Sequence, residues 1–120
     1  MSTIKVDNLQ TTGGAGLYPA RAWLNFDQTG TLTILDDGNI SSMSDRGVGL
    51  STATFSNTRS SSNYAFIGAA NDRGSDTNFA VFCTEDTLNI SRSTSSVPMN
   101  TGYTIYQEKD FNRSSMVVIE

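Results

Sequence analysis

Short runs in which apolar and polar residues alternate, each closed by a turn, dominate the sequence from residue 20 onward. In the first run Ala22, Leu24 and Phe26 occupy every second position, and Asp27 and Gly30 bound the turn that follows. Alternation with a period of two is typical of strands that bury one face. Such turns recur about every 8–12 residues without a 3.6-residue period, a pattern that indicates a β-sandwich or a small barrel.

These runs predict eight or nine strands and an all-β fold. We expect an antiparallel, jelly-roll-like β-sandwich in which the first two strands pair as neighbours. Because residues 78–84 are apolar on both faces, we expect them to form a central strand that is covered on both sides. The predicted strands lie at 20–26, 31–35, 40–43, 51–55, 63–70, 78–84, 87–91, 101–107 and 115–119.

The first 19 residues differ from the rest of the chain. Ile4, Val6 and Leu9 stand among polar residues, and three glycines follow within positions 13–16. A short extended piece of this kind needs a partner surface, either on its own domain or on another chain. We therefore predict an N-terminal arm and Gly-rich hinge over 1–19, with Ile4, Val6 and Leu9 as anchoring residues, and a sandwich domain over 20–120.

Composition excludes several classes of function. The formal charge is −4 with two lysines, which argues against nucleic-acid binding. No run approaches 18 apolar residues and no signal-peptide pattern opens the chain, so neither membrane insertion nor secretory export is expected. The sequence has no His and one Cys, Cys83, which removes the usual general base and the usual metal ligands. We expect no catalytic residue, no cofactor and no metal site.

Four acidic residues could still carry chemistry. Glu85 with Asp86, or Glu108 with Asp110, could supply the two carboxylates of a glycosidase. The favoured interpretation is that they are solvated carboxylates at strand ends.

Three further positions have a functional and a structural interpretation. Residues 36–39 could be a calcium loop, but they lack the spacing of one and match a tight turn. Cys83 could be a nucleophile, but without His it is expected to be a core residue. The glycines of 13–16 are not followed by the Lys-Ser/Thr of a phosphate loop, which favours a hinge.

Aromatic residues are the remaining candidates for binding. Tyr18 and Trp23 could contact another subunit or stack on a sugar ring, and Tyr64, Tyr103 and Tyr106 belong to the same class. Trp23 is out of phase with the apolar positions of its strand, so it faces outward if they face the core. The alternative is that a loop covers it.

Two stretches carry a resemblance that covers roughly residues 2–56. STIKVDNLQTTGG resembles the opening of many structural proteins of marine and cyanobacterial tailed phages, and YPARAWLNFDQTGTLTILDDGNISSMSDRGVG resembles the block that follows it in tail-fibre-like virion proteins. The recurring positions are Trp23, Asn25, Phe26, Thr29, Gly30, Ile40, Ser41, Ser42, Gly47 and Gly49. The chain departs from this pattern at Asp27-Gln28 and at Ala53, and residues 57–120 match no motif.

The resemblance implies a β-rich, trimeric, non-enzymatic component of a tailed-phage virion, made in the host cytoplasm and displayed on the outer surface of the particle. The first hypothesis is a capsid decoration (cement) protein whose arm docks on the major capsid protein or another virion protein. The chain is short and has no repeat from which a shaft could be built, which favours decoration over a fibre. The alternative is a tail fibre or receptor-binding module that recognises host cell-surface carbohydrate.

Overall fold

In a computed structural model, the described part of the chain forms nine strands. The structure describes residues 3, 10, 12–14, 20–71, 81–86, 90–103 and 107–120. The strands are β1 (Ala20–Asp27), β2 (Thr33–Gly38), β3 (Ile40–Gly47), β4 (Leu50–Phe55), β5 (Ala65–Asn71), β6 (Val81–Glu85), β7 (Ser96–Tyr103), β8 (Gln107–Glu108) and β9 (Arg113–Ile119). The anchoring residues Ile4, Val6 and Leu9, together with Tyr18, lie outside the described residues.

The strands form two antiparallel sheets that pack face to face. The first sheet has the order β2-β1-β9-β5 and the second has the order β3-β4-β7-β6, with β8 paired to the end of β7. The all-β sandwich that the alternation predicts is confirmed, as is the pairing of the first two strands, in which Phe26 lies opposite Ile34.

The buried residues of β1 and β4 are those that the alternation of apolar and polar residues predicts. In β1 the buried residues are Ala22, Leu24 and Phe26, and the residues between them face solvent. Residues 51, 53 and 55 of β4 are buried in the same way. The apolar cluster between the sheets consists of Ala22, Leu24, Phe26, Ile40, Ala53, Phe55, Tyr64, Cys83, Val97, Met99, Met116 and Val118.

The turn at 36–39 has a different role from the expected one. Asp-Gly predicts a hairpin, but β2 and β3 belong to opposite sheets and Asn39 is the corner between them. Gly38 remains in β2 opposite Trp23, and Asn39 takes the left-handed conformation with a φ of 61°. Asp37 accepts a hydrogen bond from the Ile40 backbone, which is the bonding of a turn.

The strand expected at 101–107 begins earlier, at Ser96. Pro98 lies inside β7, although proline is normally excluded from central strands because it has no N–H. Its carbonyl accepts a hydrogen bond from the Asp86 backbone, one residue beyond the end of β6. The missing N–H therefore falls at the last pair of the ladder with β6, and the proline removes only the reciprocal bond to Asp86 there.

Three other boundaries differ from the prediction. β3, which was expected at 40–43, continues to Gly47, and the chain reverses at 48–49, where Gly49 has a φ of 68°. Ile90 and Ser91 are not in a strand, whereas a strand was expected at 87–91. Among the described residues β6 pairs only with β7, so the central position expected for 78–84 is not seen there. Its buried residue Cys83 lies beside Gly68 of β5, which belongs to the other sheet.

Gly68 of β5 allows this close approach of the two sheets. A Cβ atom at this position would lie 2.3 Å from the backbone oxygen of Cys83, so we expect Gly68→Ala to push β5 and β6 apart and to cost about 2 kcal/mol or more. Urea unfolding measures the loss. Gly30→Ala is the control, because its Cβ would meet nothing within 4 Å and only the strain of its φ of 68° would cost about 1 kcal/mol. Equal losses in the two variants would contradict the steric explanation.

Candidate interaction surface

Trp23 lies on the solvent side of the first sheet, which we call the outer face. It is 39% exposed, and its strand neighbours Ala22 and Leu24 are buried. The prediction that Trp23 faces outward is confirmed. Tyr64, in contrast, is buried in the core, Tyr103 is half-buried, and Tyr106 lies outside the described residues.

The indole of Trp23 is positioned by Gly38 on the neighbouring strand. The two residues are paired across β1 and β2, and a Cβ atom on Gly38 would lie 2.1 Å from the indole Nε1. The ring therefore lies over a position without a side chain. Any other residue at 38 would displace it, so this glycine determines how the indole is presented.

Apolar residues continue from Trp23 across the sheet. Trp23 is paired with Val117 of β9, and Val117 is paired with Ile67 of β5, which is 56% exposed. The next row pairs Ile119 with Ala65. We call these five residues, Trp23, Ala65, Ile67, Val117 and Ile119, the apolar patch. Contiguous apolar surface of this kind marks interaction sites more often than scattered single residues do.

A polar cleft borders the patch at the end where β1 begins and β9 ends. It has a volume of about 400 Å³ and is lined by Arg21, Thr58, Arg59, Ser60 and Glu120. Arg59 and Glu120 form an ion pair at 3.6 Å, and the Ser60 hydroxyl donates to the Glu120 carboxylate. The Arg21 side chain is exposed, so the cleft presents a guanidinium to solvent beside the patch.

Asn39 holds together two of the segments that line this cleft, although the sequence predicted only a turn there. Its side-chain amide donates to the backbone oxygens of Arg21 and Asn57, both at 3.1 Å, and its Oδ1 accepts from the Asn57 backbone at 2.7 Å. The three bonds connect the start of β1 to the loop after β4. Asparagine is one of the few non-glycine residues that tolerates a positive φ, which is the signal that could have identified this corner.

Three of the four acidic residues that could have been catalytic are engaged in structural contacts, and the fourth, Glu108, is exposed. Asp86 is buried and pairs with Arg46 at 3.0 Å, and Glu85 pairs with Arg92. The expectation that this pair is solvated is therefore wrong, because an arginine reaches each carboxylate, Arg46 from 40 residues away and Arg92 from the loop that follows β6. Asp110 accepts a hydrogen bond from the Gly49 backbone at 2.7 Å.

Cys83 is a core residue, as expected from its apolar surroundings. It is 4% exposed. Burial raises the pKa of its thiol from the ordinary value of 9.0 to about 12, and a hydrogen bond from the Ala69 backbone acts in the opposite direction. At neutral pH the residue is a thiol rather than a nucleophilic thiolate.

This pKa predicts a pH dependence of stability. The folded state holds the thiol proton more tightly than the unfolded chain, so the contribution of Cys83 is fully present below about pH 9 and is lost between about pH 9 and pH 12. We expect the free energy of unfolding of the native protein to fall more steeply over this range than that of Cys83→Ala, measured by urea unfolding. Parallel curves, or a native thiol that reacts with a disulfide reagent as fast as free cysteine does, would contradict the prediction.

Comparison with protein-family models, with curated proteins and with solved structures returns no significant match. Within the described ranges, no group of three or more Cys, Asp or Glu residues could hold a metal ion. The described part of the chain also contains no helix long and apolar enough to cross a membrane.

Proposed function

We propose that this chain is a non-enzymatic structural protein on the outer surface of a bacteriophage virion, and that it serves as a capsid decoration protein. The apolar patch on the outer face is the observation that carries the proposal. The N-terminal arm would attach the protein to the major capsid protein or another virion protein, and the sandwich would project from it. The resemblance of residues 2–56 to tail-fibre-like virion proteins supports the same class of protein.

The chemistry of the patch favours a protein partner over a small polar ligand. The side chains of Ile67, Val117 and Ile119 offer no hydrogen-bonding group, and they extend to one side of Trp23, the one aromatic ring of the outer face among the described residues. Protein interfaces combine an apolar centre with a polar rim, and the cleft containing Arg21 supplies such a rim.

Removing the arm tests the first proposal. We expect a variant without residues 1–16 to keep the thermal unfolding transition of the sandwich but to be lost from purified particles, because only the attachment segment is absent. Quantitative mass spectrometry of virions, normalised to the major capsid protein, measures both incorporation and copy number. Hundreds of copies of the full chain per particle support decoration. Retention of the truncated chain at full copy number would overturn the role of the arm.

A second candidate function is a tail fibre or receptor-binding module for host cell-surface carbohydrate. The specific observation in its favour is the exposed indole of Trp23 beside a cleft lined by two hydroxyls and two guanidiniums. Aromatic rings that project from a flat sheet stack on sugar rings, and hydroxyl and charged groups beside them can bind sugar hydroxyls.

Binding to host envelope glycans separates the two candidates. If the module binds carbohydrate, Trp23→Ala should weaken binding at least tenfold while leaving the circular dichroism spectrum unchanged, since a lost stacking contact is worth about 1–3 kcal/mol. Leu35→Ala is the matched control, because Leu35 is 46% exposed on β2 and lies outside the patch. Absence of binding to every host envelope fraction, or equal losses in both variants, would count against the carbohydrate function.

A further inference from the structure

We propose that, before the protein joins a particle, residues 4–7 of the N-terminal arm cover the apolar patch of the same chain. In the proposed function the arm and the patch both contact other virion proteins, and while they cover each other neither is available for such a contact. Three features support this docking: the point at which the arm joins the sheet, the small size of the patch, and the alternation of apolar residues in the arm.

The arm joins the first sheet at the border of the patch. Ala20, the first residue of β1, is paired with Ile119, and Ile119 is paired with Ala65, so one row of the sheet connects the arm to two patch residues. The row that contains Trp23 lies two residues further along β9, about 7 Å away. The chain therefore enters the sandwich at the edge of the surface that the arm would cover.

The linker between the arm segment and β1 is long enough for the chain to turn back over the outer face. Residues 8–19 span up to about 40 Å at about 3.3 Å per residue, several times the distance to the row that contains Trp23. Within this linker residues 12 and 13 form a turn, and Gly14 has a φ of 83°, a conformation in which glycine lets the chain change direction.

The patch is small for a separate partner that contacts nothing else. It extends over the three neighbouring strands β1, β9 and β5 and over residues 117–119 of β9, which gives a footprint of roughly 150 Å². Stable complexes bury about 800 Å² on each partner. A tethered segment avoids most of the entropy cost of association, because its effective concentration is in the millimolar range. The size of the patch therefore favours a segment of the same chain.

The alternation in the arm matches a surface that is apolar on one side only. In an extended segment Ile4 and Val6 fall on one side, and Lys5 and Asp7 fall on the other. With Ile4 and Val6 against the patch, both charged side chains face solvent. Leu9 falls on the same side as the charges and takes no part in this contact.

Other exposed apolar residues of the described chain offer less contact. Leu35, Val48 and Ile90 are each at least 40% exposed, but they lie in three separate segments, on β2, in the turn at 48–49 and after β6. In the patch, strand pairing places apolar residues side by side. Contiguous apolar surface is what two apolar side chains of one short segment can bury together.

The covered patch would couple exposure of the outer face to assembly. An uncovered apolar patch promotes association with other proteins, so the docked arm protects the free chain. When another virion protein binds the arm, the patch is uncovered, and the two contacts become available at the same place and time. None of the nine strands includes a residue of the arm, so its removal uncovers the patch without taking a strand from the sandwich.

The first test uses the fluorescence of Trp23, the single tryptophan of the chain. We expect removal of residues 1–16 to raise the rate constant for quenching by acrylamide at least twofold and to shift the emission to longer wavelength, because the arm no longer shields the indole. Circular dichroism should be unchanged. The difference should be the same at about 1 μM and about 100 μM protein, since docking within one chain does not depend on concentration.

The second test substitutes each side of the arm segment in turn. Ile4→Ser combined with Val6→Ser should raise quenching as far as removal of the arm does. Lys5→Ser combined with Asp7→Ser is the matched control, because it removes one positive and one negative charge, keeps the net charge at −4 and should leave quenching as in the native chain. Equal effects of the two combinations would overturn the assigned contact.

A spin label at position 5 locates the arm directly. In Lys5→Cys the label reacts with the new cysteine, because Cys83 is only 4% exposed. The label should broaden the methyl signals of Ile67 and Val117 and leave those of Val48, in the turn at 48–49, unchanged. When spin-labelled chain is mixed with isotope-labelled chain that carries no spin label, no broadening should appear, because the contact lies within one chain.

The outcomes separate arm docking from the virion function. Broadening that appears in the mixture would place the arm on a second copy and overturn the proposal, as would quenching that removal of the arm leaves unchanged. A docked arm in a chain that is absent from particles would leave the docking standing and overturn the virion function. An undocked arm in a chain that enters particles would do the opposite.

Discussion

A thin apolar layer between two sheets is the constraint on which the whole structure depends. The hydrophobic fraction of the chain is 37%, and the largest fully buried side chains are few, with Phe26, Phe111 and Leu24 the bulkiest of them. A layer this thin holds the middle of the sandwich but leaves its ends to polar groups. At one end the Gln28 side chain is buried between the sheets, and its Oε1 lies 2.8 Å from the Thr101 hydroxyl. Burying such groups is tolerable only because they are hydrogen-bonded to each other and to the backbone.

Charged groups fill a buried position near the same end, two residues along β7 from Thr101. Arg46 of β3 reaches the buried carboxylate of Asp86 and also donates to the Ser51 carbonyl at 3.2 Å. A buried ion pair adds little net stability, but either partner alone would be an uncompensated buried charge. The pair therefore fixes where β6 ends relative to β3 and β4. The end of β6 at this point also explains why a proline is tolerated at position 98 of β7. The Arg46–Asp86 contact and the proline inside a strand therefore have the same structural cause.

Local pattern was sufficient to predict the sandwich, the buried phase of β1 and β4, the outward direction of Trp23 and the burial of Cys83. Each of these depends on the alternation within one strand. The parts that the pattern missed depend on contacts between distant segments. Pro98 fits only because of where β6 stops, and Asn39 is a corner rather than a hairpin because β3 pairs with β4 instead of with β2. The partners of Asp86 and Asn39 lie 40 and 18 residues away, beyond the reach of any local motif.

The same scarcity of apolar residues gives the outer face its significance. A sandwich with a thin core gains most from burying its large apolar side chains between the sheets, yet Trp23, Ile67, Val117 and Ile119 occupy the opposite side of strands whose inner positions are already filled. Register explains how they come to lie together, because the Trp23–Val117–Ile67 row is set by the pairing of β1, β9 and β5. It does not explain why the residues are apolar, since Ser115 shows that a polar residue is accommodated on the same side of β9. Folding of a single copy requires none of the four to be apolar. Burial of the four side chains against another surface accounts for their apolar character, and this is the reason why the proposed function rests on the outer face.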